Sequence, residues 1–190
     1  MSSSYIIGVE ITDKIFFEDE IMYHDFERCT FINCDLSNCN YLGTAFIDSD
    51  FINCNFIEAK VNYVSFRDVQ FTGCNFTGVN FSMCDSLLFR FNFEDCILDY
   101  AKFYTLKLKG TFFNNCSLIA VDFMETDLTE AVFANCNMHQ TVFSNTIANK
   151  TDFTTSYNFT IDPEENKLKK AKFSVEGLKG LLTKYDIVVK

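Results

Sequence analysis

Nine cysteines and two histidines are the side chains here most able to do chemistry. Thiols could ligate a soft metal, pair as disulfides or act as nucleophiles, and an imidazole could serve as a general base. The arrangement argues against each use. His24 and His139 lie far apart in unrelated surroundings. There is no Gly-rich phosphate loop, no Ser–His–Asp order and no Cys-x-x-Cys pair. All nine cysteines instead occupy one place of a five-residue repeat. Take Phe26, Phe31, Leu36, Tyr41, Phe46 and onward to Phe81 as repeat centres. Two residues before a centre stand Cys29, Cys34, Cys39, Cys54 and Cys74, and Cys84 keeps the same phase. A second run of centres, Leu88 to Phe153, puts Cys96, Cys116 and Cys136 at that place. Thiols stacked in a straight column run parallel at about one strand spacing, ~4.8 Å, and do not converge on a metal or aim at each other. They read as inert fillers of small inward slots. No cofactor, metal site or enzymatic activity is expected.

The elements that hold such a column follow from its period. Five residues match neither a helix, at about 3.6, nor a strand, at about 2. They match a chain that turns a corner every five residues. Thirteen centres from Ile21 to Phe81 and fourteen from Leu88 to Phe153 are all apolar. The step of seven between the runs marks a two-residue insertion near Ser86 and Leu87, unusually apolar through Leu87, Leu88, Phe89 and Phe91. The frame also reaches back through Phe16 and Ile11 to Ile6. A second period of 20 lies on top: Phe31, Phe51, Phe71, Phe93, Phe113, Phe133 and Phe153, with one step of 22. Four units thus make one coil with four faces, and about seven coils make a rod on the order of 35 Å long. Centres point inward. The column Asn33, Asn53, Gly73, Asp95, Asn115 and Asn135 falls at a corner, where these residues tolerate positive φ. In the second run Leu and Phe centres alternate, so two opposite faces should carry Phe and the other two Leu.

Net charge is −10, unevenly spread. Residues 1–153 hold 21 Asp+Glu and 9 Lys+Arg, whereas residues 154–190 hold 5 and 7. An acidic body argues against direct binding to nucleic acid or to an anionic membrane. No apolar run is long enough for a membrane span, and the start, Met1 to Ile7, lacks the features of a signal peptide. A cytoplasmic protein with reduced thiols is expected.

The five-residue pattern ends after Phe153. Asp162-Pro163 opens a loop, the run NKLKKAKFS follows, and Ser174 is a helix N-cap with Glu176 in the first turn. Val175, Leu178, Leu181 and Leu182 form an apolar stripe. Gly177 and Gly180 weaken this helix, so packing must support it. Ile187, Val188 and Val189 read as a short extended end. Three regions are expected: an N-terminal cap or irregular coil (1–20), the repeat body (21–155) and a C-terminal loop, helix and extended end (156–190). The tail could cover the open end of the rod or pair two rods.

The stretch FERCTFINCDLSNCNYL from Phe26, with FINCNF, FTGCNF and FANCNM later, resembles the pentapeptide-repeat proteins. Their unit is a small residue, Asp or Asn, Leu or Phe, then two polar residues. The resemblance covers roughly residues 16–155. It implies an all-β fold, a right-handed quadrilateral β-helix with a C-terminal capping or dimerisation helix. The segment DPEENKLKKAKFSVEGLKGLLTKYDIVV resembles the C-terminal segment of the Qnr-type, quinolone-resistance branch. That likeness implies a homodimer joined end to end through Val175, Leu178, Leu181, Leu182 and Ile187. It further implies a non-enzymatic DNA mimic that binds DNA gyrase or topoisomerase IV and protects it from fluoroquinolones. In the repeat frame the outward acids Asp25, Glu27, Asp48, Asp68, Asp122, Glu125, Asp127 and Glu130 are its candidate contacts. Qnr-type relatives often use long projecting loops for protection, and this sequence has only the two-residue insertion. The alternative is a protein-interaction scaffold with a partner other than a topoisomerase.

Overall fold

A chain that turns every five residues needs corner residues that accept left-handed backbone. The computed structural model describes residues 4–17, 19–85 and 90–188 and has such a residue at almost every corner. The expected column is there: φ is 52° at Asn33, 54° at Asn53, 66° at Gly73, 54° at Asp95, 55° at Asn115 and 56° at Asn135. Less suited residues do the same work elsewhere, including Tyr63 at 58°, Tyr100 at 62° and Thr105 at 63°. Each of these carries a strain on the order of 1–2 kcal/mol because its Cβ crowds the following carbonyl.

Among the described residues ten short strands result: β1 (Ser4–Ile7), β2 (Glu10–Thr12), β3 (His24–Glu27), β4 (Thr30–Ile32), β5 (Ala45–Ile47), β6 (Asp50–Ile52), β7 (Ser65–Thr72), β8 (Arg90–Glu94), β9 (Phe112–Asn114) and β10 (Val132–Ala134). All their pairings are parallel. Partners are offset by 20 residues before the insertion, as in Phe31↔Phe51, and by 22 across it, as in Phe71↔Phe93. Asp85 N still donates to Val64 O in the old register, so the extra residues fall between Asp85 and Phe91. The insertion at Ser86 and Leu87 and the centre Leu88 lie outside the described residues.

The coil has four faces. Face A carries the centres Phe26, Phe46, Phe66, Leu108, Leu128, Ala148 and Leu168. Face B carries Phe31, Phe51, Phe71, Phe93, Phe113, Phe133, Phe153 and Phe173. Face C carries Leu36, Phe56, Phe76, Leu98, Leu118 and Met138, and face D carries Ile21, Tyr41, Val61, Phe81, Phe103, Phe123 and Phe143. The face-B rings form one stack from Phe31 to Phe173, with successive centroids between 4.5 and 5.3 Å. Each fully buried ring contributes roughly 1.5–3 kcal/mol. Past the insertion, Phe does occupy opposite faces B and D while A and C turn to Leu, Met or Ala. Before it, Phe fills face A, face B and, apart from Leu36, face C, while face D mixes Ile21, Tyr41, Val61 and Phe81. Tyr41 brings a polar atom into that stack. It is fully buried and donates its hydroxyl to Leu36 O at 2.7 Å.

The slot two residues before each centre lies beside a carbonyl of the preceding coil. A small side chain with a donor suits it. The thiols of Cys54 and Cys74 donate to Phe31 O and Phe51 O at 3.4 Å, and Thr126 and Thr151 hydroxyls do the same to Phe103 O and Leu128 O at 2.9 and 2.7 Å. All nine cysteines are thiols outside any disulfide, and all are buried. Burial pushes the Cys74 and Cys84 thiols well above their ordinary range, which holds them protonated and unreactive.

Both ends differ from the repeat body. At the N-terminus, β1 and β2 continue the ladder onto Ile6 and Ile11, which are only half-buried. At the C-terminus the repeat goes further than its sequence pattern. Ile147 bridges to Lys167 and Asp152 to Lys172, so Asn166–Phe173 forms two more faces. The tail is helical but of the 3-10 type, over Glu176–Leu181 and Thr183–Tyr185. The helix starts one residue later than expected, with Val175 at its N-cap position, and Ser174 Oγ accepts from Gly177 N at 3.0 Å just outside it. Gly177 and Gly180 are there for contact. A Cβ on Gly180 would stand 2.3 Å from Phe159 O, and one on Gly177 2.9 Å from the Phe159 ring. Phe159 in turn covers Phe153 and Phe173, at 6.0 and 5.6 Å. Among the described residues no helix is long and apolar enough to cross a membrane.

Candidate protein-interaction surfaces

Outward positions flank each centre, so every face carries columns of side chains one coil apart. The expected acids lie mostly on face A and its corners. Asp25, Glu27 and Asp127 flank face-A centres, Asp48, Asp68 and Glu130 hold the corner between A and B, and Asp122 and Glu125 belong to face D and its corner with A. Three are paired with cations: Glu27 with Arg28 at 3.1 Å, Asp68 with Arg90 at 2.8 Å and Glu130 with Lys150 at 2.6 Å. The Lys150 ammonium holds the Glu130 carboxyl below its usual range. Asp122 and Asp127 each accept a backbone N–H two residues on, from Met124 at 2.8 Å and Thr129 at 3.0 Å.

Face A is also where the cations gather. It and its corner with B hold all three arginines, Arg28, Arg67 and Arg90, and Lys107, Lys109, Lys150, Lys167, Lys169 and Lys170. These are nine of the chain's 16 Lys+Arg, against seven carboxylates, the expected six and Asp85. Within a chain of net charge −10, this side is therefore cationic.

The surplus acid sits on faces B and C and their corners: Glu10, Asp13, Asp35, Asp50, Glu58, Glu94, Asp95, Asp99 and Asp152. Only Lys14 and Lys172 accompany them, and both are engaged, with Glu20 at 3.3 Å and Asp152 at 3.0 Å. Neutral donors of the next coil hold many of these carboxylates. Asp13 accepts from Asn33 at 3.0 Å, Asp35 from Asn55 at 3.2 Å, Glu94 from Asn114 at 3.1 Å and Asp95 from Asn115 at 3.1 Å. Asp99 accepts from Ser117 Oγ at 2.6 Å and Ile119 N at 3.0 Å. Amide and hydroxyl donors fix the geometry while leaving the negative charge in place.

At the C-terminal end, Val175, Leu178 and Ile187 are 80%, 45% and 57% exposed, whereas Leu181 packs against the core and Leu182 is half-buried. A groove of about 570 Å³ runs between face C and the tail, lined by His139, Asn158, Phe159, Leu182, Ile187 and Val188. Lys184 clamps the tail to the preceding loop through Asp162 at 2.8 Å and Glu164 at 2.6 Å, and Tyr185 donates to Glu164 at 2.8 Å. His24 has a local role: its Nδ1 lies 2.6 Å from Met22 O and its ring stacks on Phe26.

Family models for a pentapeptide repeat region match residues 24–103 and 44–123, and one for pentapeptide repeats matches 122–156. The chain belongs to the pentapeptide-repeat family. Among solved pentapeptide-repeat structures, its fold is similar to a trypsin-treated form of QnrB1, a plasmid-mediated fluoroquinolone resistance protein. The identity is 18% over 99% of this chain and 100% of that one, with a TM-score of 0.51. Full-length QnrB1 is matched at 16% identity over 96% of this chain and 100% of that one, with a TM-score of 0.42. HetL, a pentapeptide repeat protein involved in heterocyst differentiation regulation from the cyanobacterium Nostoc, is matched at 15% identity. That match covers 92% of this chain and 89% of HetL, with a TM-score of 0.44. No curated protein matches the chain in sequence. At these identities the likeness is one of fold. The sequons at Asn75 and Asn80 are products of the pentapeptide geometry: Asn75 Oδ1 accepts from Thr77 N and Oγ1, and Asn80 Oδ1 from Ser82 N and Oγ, across one unit.

Proposed function

We propose that this pentapeptide-repeat rod is a homodimeric DNA mimic that binds a type II topoisomerase, DNA gyrase or topoisomerase IV, and shields it from fluoroquinolones. The observation that carries the reading is the surface of faces B and C, where nine carboxylates face two engaged lysines. Spread over about 34 Å of axis, they give roughly one charge per 4 Å, against about one per 1.7 Å in B-DNA. The mimicry therefore works over a segment that offers fixed acids to a basic groove built for phosphates. Asp25, Asp48, Asp122, Glu125 and Asp127, which make no ion pair among the described residues, are additional candidate contacts on faces A and D. The resistance role itself belongs to QnrB1 and reaches this chain through the shared family.

The tail supports the dimer. Val175, Leu178 and Ile187 present apolar surface outward, while Leu181 and Leu182 seat it on the rod. A second copy covers that surface at the cost of little polar desolvation.

Supercoiling by purified gyrase, with and without a fluoroquinolone, tests the reading. Inhibition or drug protection at micromolar protein is expected, and it should be lost in an Asp13→Asn, Asp35→Asn, Asp95→Asn, Asp99→Asn variant. Neither effect in the unaltered protein would leave the scaffold with another partner. Sizing the protein before and after removal of residues 174–190 tests the dimer, and an unchanged size would rule out the tail as its interface.

A further inference from the structure

We propose that face A of the C-terminal coils is a sequence-independent binding surface for the phosphate backbone of duplex nucleic acid, on a different side of the rod from the acidic surface. The inference goes beyond the topoisomerase reading and does not rest on it. From Lys107 to Lys170 this face and its corner with B hold six lysines against Asp127 and Glu130, a surplus of four. Glu130 is taken up by Lys150. Among the described residues, no carboxylate lies within ion-pair distance of Lys107, Lys109, Lys167, Lys169 or Lys170, and all five are exposed. Of the nearby carboxylates on other elements, Asp152 is held by Lys172, and Asp162 and Glu164 by Lys184. Glu125, at the corner of face D with face A, and Glu165, at the edge of the last coil, are the remaining ones.

The two rows of free lysines are three coils apart, ~14 Å, which is the axial span of about eight phosphate charges on B-DNA. The net charge of −10 opposes such binding from a distance, but the acids on faces B and C are largely screened beyond about 10 Å at 0.1 M salt. The composition selects the partner. A protein interface is anchored by aromatic or arginine side chains in fitted pockets. The outward positions of this patch hold lysines with Gly110, Thr129, Ile147 and Asn149, and no aromatic. Ammonium groups on flexible stems satisfy phosphates as point charges and read no base.

Fluorescence anisotropy of a labelled random-sequence 20-bp DNA duplex tests this with the full chain. Five phosphate contacts predict a slope of about −4.5 in log K against log salt, or roughly 500-fold weaker binding at 200 than at 50 mM KCl. Lys167→Gln, Lys169→Gln, Lys170→Gln should flatten the slope by about 3, and Lys107→Gln, Lys109→Gln by about 2. No anisotropy change at 50 mM KCl up to ~100 µM protein, the weak end of non-specific affinity, would overturn the proposal. So would a slope that neither lysine variant alters. If poly-L-glutamate displaced the duplex at equal charge concentration, the patch would be a site for acidic protein instead.

Discussion

The rod finishes on Ile6 and Ile11 at one end and on Phe153 and Phe173 at the other. The two ends manage their exposed coil in different ways. At the N-terminus the inward residues shrink, the last ones stay half-buried, and Lys14 folds over the Phe16 ring at 4.2 Å. At the C-terminus the full-sized Phe stack runs to its last level, and Phe159 with the 3-10 tail closes over it. The tapered end closes with smaller inward residues and carries its exposed apolar side chains, Ile7, Ile15 and Phe17, on its flanks. An untapered end needs a lid, and this lid exposes apolar residues of its own.

The largest expected effect tests that difference directly. Phe159→Ala should lose about 3–5 kcal/mol in urea unfolding, while Ile6→Ala, at the tapered end, should lose less than about 2. Equal losses would erase the contrast. Next comes Gly180→Ala, whose Cβ meets backbone that cannot move aside. It should cost about 1–3 kcal/mol and expose residues 175–188 to protease while the repeat body stays resistant. A third effect separates the ends by pH. Lys184 holds the Asp162 and Glu164 carboxyls below their usual range. Their contribution is therefore complete above the ordinary carboxylate range and is lost as pH falls through the depressed values. Hydrogen exchange of the tail amides should accelerate below about pH 4, ahead of β1 and β2, because protonation releases the clamp. The smallest effect lies in the body between the ends. Thr105→Gly should raise stability by about 1 kcal/mol, since its left-handed φ of 63° strains a β-branched residue.

The cysteine register and the 20-residue spacing made the coil, its four faces and the inward thiols legible in the sequence. They could be read because each inward position repeats the same steric demand. The last two faces were hidden although Leu168 and Phe173 stay in frame with Phe153. Asn158 and Pro163 stand where two centres should be, and that gap reads as the end of the pattern. The tail glycines read as helix weakeners, because their contact is with Phe159, some 20 residues away in sequence. Charge was the least legible property. Outward acids near one face can be selected by frame, but Arg28, Arg90 and Lys150 decide whether their charge survives. The unneutralised set, Asp13, Asp35, Asp95 and Asp99, shows only when cations are counted along the same columns.

The fixed offset of 20 residues between hydrogen-bonded partners has a mechanical consequence. Each coil is held only by its neighbours, so a pull on the C-terminus, once the lid is off, peels one coil at a time. Every peeled coil should release about 70 Å of chain, and the one containing the insertion about 7 Å more. A force–extension trace would then show evenly spaced rips with one long step, which marks the position of residues 86–87 along the rod.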